Sequence, residues 1–497
     1  MSKKALLIIS FLFALSVIIR LPNLNRPLSK HHEFVTAHIL CILNIWEQAG
    51  IKDAHFLPKL SFGNKTDKFI NNYASGIKDK SGNYYYLSHP PLSYYLPFFS
   101  FKLFNIKANA LSLQTFNLLI HFIICIFIYL ITQIVLFRKR NKSSIYPGII
   151  SAACYLFMPI TLWFHSNVYT IDIPAQLFFT IAVYISLQVF LHKKRSLPWL
   201  GLLFISVFAL SYSEWIGVFF SIIFIGLLIR YHKRIPNALF LAAIVGVANS
   251  SAIIITILQY AQINGITELA NSMWERFIER TGYVNTPISY NLKQIVFNYA
   301  TSFLPVLLFI QFYLIISKAK PLKNKNIRIF LVLSLFPALL HHIIFLNFAG
   351  HDFAAIKSAT FIAVLSGIVF NIWLIKKRIT TFKASSIGPI LITLIICISQ
   401  YYYINRPGEI SWKGDPYIAY KNIGDRINKE STSDQVIFME DFKANPQMVY
   451  YAGRNIKTYT NEWELRNFLK KHHLTKAIIF TIDKMGIKSV RRISLSE

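Results

Sequence analysis

Long apolar segments alternate with short polar connections over most of this 497-residue chain. A helix that crosses a bilayer needs about 20 predominantly apolar residues, and about eleven segments approach or exceed that length. The pattern predicts a multi-pass α-helical membrane protein with about eleven transmembrane helices. The predicted spans are residues 5–19, 110–137, 145–163, 172–191, 197–212, 214–230, 236–260, 297–317, 327–348, 352–375 and 384–404.

One apolar segment is shorter and begins with two prolines, PPLSYYLPFFSFKLF at residues 90–104. A crossing here would reverse the orientation of every later connection. We therefore predict an interfacial or re-entrant helix on the outer face, with its aromatic side chains at headgroup depth. Residues 20–109 then form one large outer loop. No small-residue cleavage site follows the first apolar segment, so we predict that it remains as the first span.

The last part of the chain, residues 405–497, has a different pattern. Strand-like segments alternate there with helix-like segments, which predicts a small parallel-sheet α/β domain. The predicted strands are residues 434–440, 455–460 and 475–483, and the predicted helices are residues 415–429, 445–453 and 461–473. Asp415 and Asn461 are candidate N-caps. We predict two domains, a transmembrane domain over 1–404 and an extracytoplasmic domain over 405–497.

Charge sets the orientation of the predicted spans. The formal net charge is +30, which could indicate nucleic-acid binding, but many basic residues cluster in short connections between spans. Such connections normally lie in the cytoplasm, so we expect no nucleic-acid partner and an outer location for the alternate connections and the C-terminus. The basic connections are residues 138–142, 193–195, 230–234, 318–328 and 376–383. The four cysteines have no metal-ligand spacing, and we interpret them as small core residues.

Ionisable residues gather at the predicted outer ends of the spans. Such groups are costly at membrane depth and are rare without a partner or a function, so their convergence on one face predicts a functional site. The candidates are His32, Glu33, His89, Asp172, Glu214, His351, Asp352 and Lys357. A structural alternative exists for each carboxylate, because Glu33, Asp172, Glu214 and Asp352 all fit near helix N-termini. His89 could equally shape the turn before the two prolines.

Four motifs resemble the GT-C class of membrane glycosyltransferases, in particular the branch of protein O-mannosyltransferases and bacterial lipid A aminoarabinose transferases. HPPLSYYL (89–96) is similar to a (K/H)PPL-aromatic stretch of that class, and TIDIPAQLFF (170–179) is similar to its (L/T)D-x-P-x-x-F-F stretch. GHDFAAIKSATFIAVLSGI (350–368) and NPQMVYYAGR (445–454) resemble two further segments. At the start of the outer loop the class has an Asp-Glu pair or one Asp, and the matching positions here are His32-Glu33.

The resemblance implies a glycosyltransferase in the cytoplasmic membrane of a bacterium, with its active site on the outer face. It implies a polyprenyl-phosphate-linked sugar donor and an acceptor hydroxyl on a lipid, glycan or protein. Glu33 is then the candidate general base, with His32 or Asp172 as its partner. His89, His351 and Lys357 are candidate phosphate ligands, and Glu214 and Asp352 are further candidate substrate-binding residues. Direct displacement would invert the anomeric carbon.

A divalent metal is an open prediction, with His32, Glu33 and Asp172 as its candidate ligands. Two other classes of function also stay open at this stage. One is a transporter or flippase of lipid-linked sugars, for which a cluster of charges at the membrane midplane would argue. The other is a non-enzymatic scaffold, which predicts no enclosed polar cavity behind residues 31–38.

Overall fold

The computed structural model consists mainly of α-helices that follow the predicted spans. It describes residues 1–70, 76–137, 144–283, 286–318, 320–376, 384–404, 420–483 and 486–495. The helices of the first part are α1 (Lys3–Arg20), α2 (Glu33–Ala49), α3 (Leu92–Leu103), α4 (Ala110–Leu136), α5 (Tyr146–Phe157), α6 (Pro159–Phe164), α7 (Asp172–Leu191), α8 (Leu197–Ser211), α9 (Ile216–Arg230), α10 (Ala238–Asn264), α11 (Ile266–Thr281), α12 (Ile288–Ser317), α13 (Lys325–Ile344), α14 (Leu346–Ala349), α15 (Ala359–Lys376) and α16 (Ala384–Ile404). A 3₁₀ segment, Asp352–Ser358, leads into α15.

Each predicted span coincides with one helix or with consecutive helical segments. Within the described residues, seven helices are long and apolar enough to cross a membrane, and four shorter apolar helices match other predicted spans. The multi-pass helical architecture is therefore confirmed. The number of crossings and their orientation stay predictions. Residues 138–142 and nearly all of 376–383, two of the basic connections on which the orientation rests, lie outside the described residues.

The predicted span 145–163 is broken into α5 and α6. Met158 between them is extended, because the residue before a proline disfavours helical geometry, and Pro159 then begins α6. The buried Arg20 at the end of α1 donates to the carbonyl of Leu162 at 3.0 Å, so α1 holds the short helix α6 in place. Arg20 Nη2 also lies 3.1 Å from Nε2 of His121 on α4.

The short apolar segment 90–104 forms a helix, α3. Phe99, Leu103 and Phe104 are exposed on it, as expected of a helix that contacts lipid. Pro90 and Pro91 precede its first residue, where proline is well tolerated. The depth of α3 in a bilayer stays a prediction.

The C-terminal part contains the predicted parallel sheet. Its elements are α17 (Tyr420–Glu430), β3 (Gln435–Glu440), α18 (Pro446–Ala452), β4 (Ile456–Tyr459), α19 (Glu462–Lys471), β5 (Lys476–Asp483) and β6 (Gly486–Ser494). The strand order is β4-β3-β5-β6, with β3 parallel to both neighbours and β6 antiparallel to β5. The sequence prediction did not include β6. Asn461 caps α19 as predicted. Asp415 lies outside the described residues, and the predicted domain boundary at 404/405 falls at the edge of the same gap. The domain division therefore stays a prediction.

The C-terminal sheet is fastened to the first outer loop. That loop also contains a two-stranded hairpin of β1 (Gly76–Lys78) and β2 (Tyr84–Tyr86). Arg454, next to β4, contacts the buried carboxylate of Asp67 at 2.9 Å, and Asn455 donates to two backbone carbonyls of the same loop. Burial raises the pKa of Asp67, and Arg454 opposes that shift. Tyr451 on α18 accepts a hydrogen bond from the backbone of Leu28 at 2.8 Å, so the sheet supports the loop that precedes α2.

Candidate active site

A cavity of about 330 Å³ lies where α2, the loop before α3, the start of α7, α11 and the α13–α15 connection meet. Six of its lining residues bear on the chemistry of the site. Three of them were predicted from sequence, and three were not. The predicted residues are His89, Asp172 and His351, and the additional ones are Arg276, Arg280 and Phe348. The cavity is open on one side and borders Phe34, Val35 and His38 of α2, while Glu33 does not line it, so the scaffold alternative stays open.

Arg280 supplies a buried cation with free donors. Its Nη2 donates to Nε2 of His89 at 2.7 Å, and its guanidinium carbon lies 4.5 Å from the ring centroid of Phe348. Within the described part of the chain, Nε and Nη1 have no hydrogen-bond partner. Burial lowers the pKa of Arg280, but a guanidinium stays charged in proteins. A buried donor left unpaired costs about 1–3 kcal/mol, and more when charged, so this wall of the cavity suits an anion.

His89 adds a third donor to the same wall. Burial, and next the charge of Arg280, hold the pKa of His89 well below its usual range, so the imidazole is neutral. Because Arg280 donates to Nε2, the ring proton lies on Nδ1. That nitrogen is buried and has no partner among the described residues. Arg276, by contrast, is already neutralised by Glu279 at 2.5 Å and donates to Ser88 at 2.6 Å.

Asp172 places a carboxylate on the cavity wall, at the first residue of α7. One carboxylate oxygen pairs with Lys357 of the 3₁₀ segment, and both side chains are buried. The other oxygen accepts from the hydroxyl of Thr170 at 3.1 Å. One turn further along α7, Gln176 donates to the carbonyl of Ile356 at 3.0 Å, which fixes the 3₁₀ segment beside α7. Lys357 does not line the cavity itself; it lies behind Asp172.

Phe348 contacts both cations of the site. Arg280 lies 4.5 Å and Lys357 lies 5.1 Å from the centroid of its ring. A cation within about 6 Å of an aromatic face is attracted by the ring, more strongly when it is desolvated. The ring therefore fixes the positions of a cation from α11 and a cation from the 3₁₀ segment.

A second polar cluster adjoins the cavity beneath His351. His31 Nε2 and His32 Nε2 lie 2.7 and 2.8 Å from the two carboxylate oxygens of Asp352. His32 has a left-handed backbone, with φ of 57°, a conformation that is uncommon for non-glycine residues and that brings both rings to Asp352. Two imidazoles and one carboxylate are a suitable ligand set for Zn²⁺ or a similar cation. Of the metal ligands predicted from sequence, only His32 belongs to this cluster.

Glu33 lies outside the cavity wall, although it is buried. Its carboxylate pairs with Arg26 and accepts from the backbone N–H groups of Ser29 and Lys30, both at 2.8 Å. These contacts organise the loop before α2. The N-cap of α2 is His32.

Glu214 is also buried away from the cavity, between α8 and α9. It lies 2.9 Å from Nε2 of His341 on α13 and accepts from the backbone of Ile216 at 2.7 Å. The structure thus joins Asp172 to Lys357, Asp352 to His31 and His32, and Glu214 to His341. It brings His89, Asp172 and His351 together at the cavity, while His32, Glu33, Glu214, Asp352 and Lys357 lie in its supporting layer.

Sequence reasoning assigned no role to Arg276 and Arg280. Their spacing of four residues in WERFIER, between two apolar segments, places both on one face of α11. That spacing, together with the strong amphipathic pattern of residues 266–281, is the signal that could have identified them.

Comparisons with known proteins identify the fold. No family model matches the chain, and no curated protein matches it in sequence. Solved structures do match. ArnT from Cupriavidus metallidurans bound to undecaprenyl phosphate has a TM-score of 0.59 at 11% identity, over 95% of this chain and 92% of that chain. The apo oligosaccharyltransferase of Archaeoglobus fulgidus has a TM-score of 0.58 at 11% identity, over 96% of this chain and 69% of that chain.

A further structure of the Archaeoglobus fulgidus oligosaccharyltransferase, a complex with Zn and sulfate, has a TM-score of 0.56 at 13% identity, over 95% of this chain and 68% of that chain. All of these neighbours are GT-C class enzymes. The predicted GT-C-like fold is therefore confirmed. At such low identity the likeness is one of fold, and the function has to be argued from the site.

Proposed function

We propose that the protein is a glycosyltransferase that moves a sugar from a polyprenyl-phosphate donor to an acceptor hydroxyl on the extracytoplasmic face of the membrane. The observation that carries the proposal is the shared cavity wall of Arg280, whose buried guanidinium has unpaired donors, and Asp172, whose carboxylate can accept a proton. An anion site and a base in one cavity are what this transfer requires. The GT-C fold supports the choice among phosphate-using reactions.

The donor phosphate lies on Arg280 and His89 in this proposal. Nε and Nη1 of Arg280 and Nδ1–H of His89 are three buried donors that need an acceptor. As the sugar leaves, negative charge grows on the phosphate oxygens, and charge-assisted hydrogen bonds become stronger. Preorganised donors stabilise such a transition state without reorganising. His351, at the exposed edge of the cavity, is the candidate contact for the sugar.

Asp172 is the proposed general base. It reaches the cavity, whereas Glu33, the first candidate from sequence, is held by Arg26 and two backbone amides. Lys357 pairs with Asp172 in its buried position. The acceptor hydroxyl gives its proton to Asp172 while its oxygen attacks the anomeric carbon, and the phosphate leaves from the opposite side, which inverts that carbon. Glu33 acts as an organiser of the loop that places His31 and His32.

A divalent metal, when bound, would be held by His31, His32 and Asp352, and it would add positive charge beside the cavity wall that His351 and Phe353 form. The residues present suit it, because both imidazoles already share one carboxylate.

The test is mass spectrometry of cell-envelope glycans from cells that express the wild type or Asp172→Asn. We expect the variant to lose one glycan modification, since general-base catalysis contributes about 10²–10⁴-fold. Asp425→Asn, on the exposed surface of α17, is the matched control and should keep the modification. An unchanged glycan profile in a folded, membrane-inserted Asp172→Asn variant would overturn the assignment. If reconstituted protein moved a labelled lipid-linked sugar across vesicles without transferring it, the flippase alternative would replace this one.

A further inference from the structure

α11 lies between two apolar helices that are long enough to cross the membrane. Only Gly265 separates its first residue from the end of α10, and α12 begins seven residues after its last. Such short connections hold α11 at the membrane surface where α10 ends. The helix carries three kinds of side chain on three separate stripes, and each stripe faces a different environment.

The first two stripes are polar. Arg276 and Arg280 face the cavity. Glu268, Glu275 and Glu279 follow one another at spacings of seven and four residues, which places all three on one side of the helix. All three are exposed, and Glu279 also borders the cavity, where it pairs with Arg276.

The third stripe is aromatic and exposed. Trp274 and Phe277 stack on each other with ring centroids 5.6 Å apart, yet 63% of Trp274 and 37% of Phe277 remain accessible. Large aromatic side chains exposed in this way usually contact a partner or a membrane. The stacking fixes the two rings as one surface, which we call the α11 aromatic stripe.

The α11 aromatic stripe continues an apolar surface on α13. Phe336, Leu339 and Ile343 form the exposed face of that helix toward its end. Tyr283, just after α11, donates to the carbonyl of Ile343 at 2.6 Å, and Phe277 packs 5.9 Å from Phe345. α13 is itself long and apolar enough to cross the membrane. The exposed apolar face of α13 therefore adjoins the α11 aromatic stripe.

We propose that the α11 aromatic stripe lies in the headgroup region of the outer leaflet, so that α11 is an interfacial helix. Trp is enriched at this depth because its ring is apolar and its N–H is polar. The partner is the bilayer, and the continuity with α13 is the reason for choosing it over a protein. When Trp274 and Phe277 lie among the headgroups, the cavity that Arg276 and Arg280 line lies at the depth of the lipid phosphates.

Spin-label depth measurements test the proposal independently of any catalytic activity. Single labels replace residues in the full-length protein as Trp274→Cys, Glu275→Cys and Trp463→Cys, in vesicles of phosphatidylethanolamine and phosphatidylglycerol. The four native cysteines are buried, so labelling is directed to the introduced ones. Trp463 on α19 is the matched control, because it is 73% exposed but belongs to the C-terminal sheet region. Collision rates with oxygen and with a water-soluble nickel chelate report depth.

We expect the label at Trp274 to favour oxygen and to collide with the nickel chelate several-fold less often than labels at Glu275 and Trp463. The contrast between adjacent positions 274 and 275 is one that a fully solvated helix cannot produce. Equal nickel accessibility at all three positions would overturn the proposal and would make the stripe a candidate surface for a protein partner. If Trp274→Cys fails to fold, Phe277→Cys gives the same comparison.

Discussion

Removing the guanidinium of Arg280 should abolish most of the affinity for a lipid phosphate. Nε and Nη1 are two of the three donors of the cavity that lack a partner among the described residues, and a hydrogen bond to a charged group contributes about 1.5–3 kcal/mol. Arg280→Gln removes the charge and leaves one neutral amide group, so we expect a loss of about 3 kcal/mol. At 1.4 kcal/mol for each factor of ten, the dissociation constant rises about 100-fold.

The assay needs no knowledge of the sugar, because undecaprenyl phosphate alone serves as the probe. Calorimetric titration of the purified protein in lipid nanodiscs gives the dissociation constant for each variant. Arg280→Lys keeps a charge but loses the planar pair of donors, and we expect a loss of about tenfold, which is about 1.4 kcal/mol. Arg276→Gln is the matched control on the same helix face. Glu279 already neutralises Arg276, so its removal should change the constant by less than about fivefold.

Thermal unfolding of each variant separates loss of the site from loss of the fold, since Arg280 also donates to His89 and packs on Phe348. Binding of undecaprenyl phosphate by folded Arg280→Gln within about twofold of the wild type, a difference below about 0.5 kcal/mol, would refute the role of Arg280 as the phosphate ligand. An equal loss of affinity in Arg276→Gln would refute it as well. In that case the unpaired guanidinium of Arg280 would contribute no more to binding than the paired guanidinium of Arg276.

Three further predictions follow from the buried contacts. Asp172→Asn leaves Lys357 as an unpaired buried charge, so we expect a loss of about 3–5 kcal/mol in unfolding free energy. Adding Lys357→Met should restore the melting temperature but not the sugar transfer. Restored transfer would contradict the role of Asp172 as general base. Phe348→Leu should weaken undecaprenyl phosphate binding by about tenfold, because Arg280 and Lys357 lose the aromatic ring that both contact. Phe345→Leu removes a ring that contacts neither cation and should leave the binding unchanged. Equal effects of the two substitutions would refute the positioning role of Phe348. Asp352→Asn should abolish Zn²⁺ binding, which elemental analysis measures after dialysis. Wild-type protein that retains no Zn²⁺ would exclude His31, His32 and Asp352 as a metal site.

The sequence predicts the helical elements well because the membrane imposes a strong signal. A run of about 20 apolar residues has few structural alternatives, and the ends of α4 and α7 agree with prediction to within one residue. The break at Met158 was missed because the apolar run continues across it, although Pro159 is the local signal that marks it. β6 was missed because it is an edge strand with charged residues, which carries a weak alternation.

The site was only partly predictable. Ionisable residues at the ends of apolar segments could be recognised one by one, and His89, Asp172 and His351 do reach the cavity. Which group pairs with which depends on packing between segments far apart in the chain. Asp172 and Lys357 are 185 residues apart, and His89 and Arg280 are 191 residues apart, and nothing local marks either pair. The partner of Glu33, Arg26, is only seven residues away. Even this short-range pair was not predicted, and it makes Glu33 an organiser of the loop before α2.

The contact between Arg454 and Asp67 has a consequence for how the protein is made. The two residues are separated by 387 positions, so at about 5–20 residues per second the ribosome needs roughly 20–80 s to supply the partner of Asp67 after that loop has emerged. During this interval the first loop lacks its support, and its carboxylate must stay in water or protonate. A chain that terminates shortly before Arg454 would contain every predicted span and still leave the carboxylate of Asp67 without this partner.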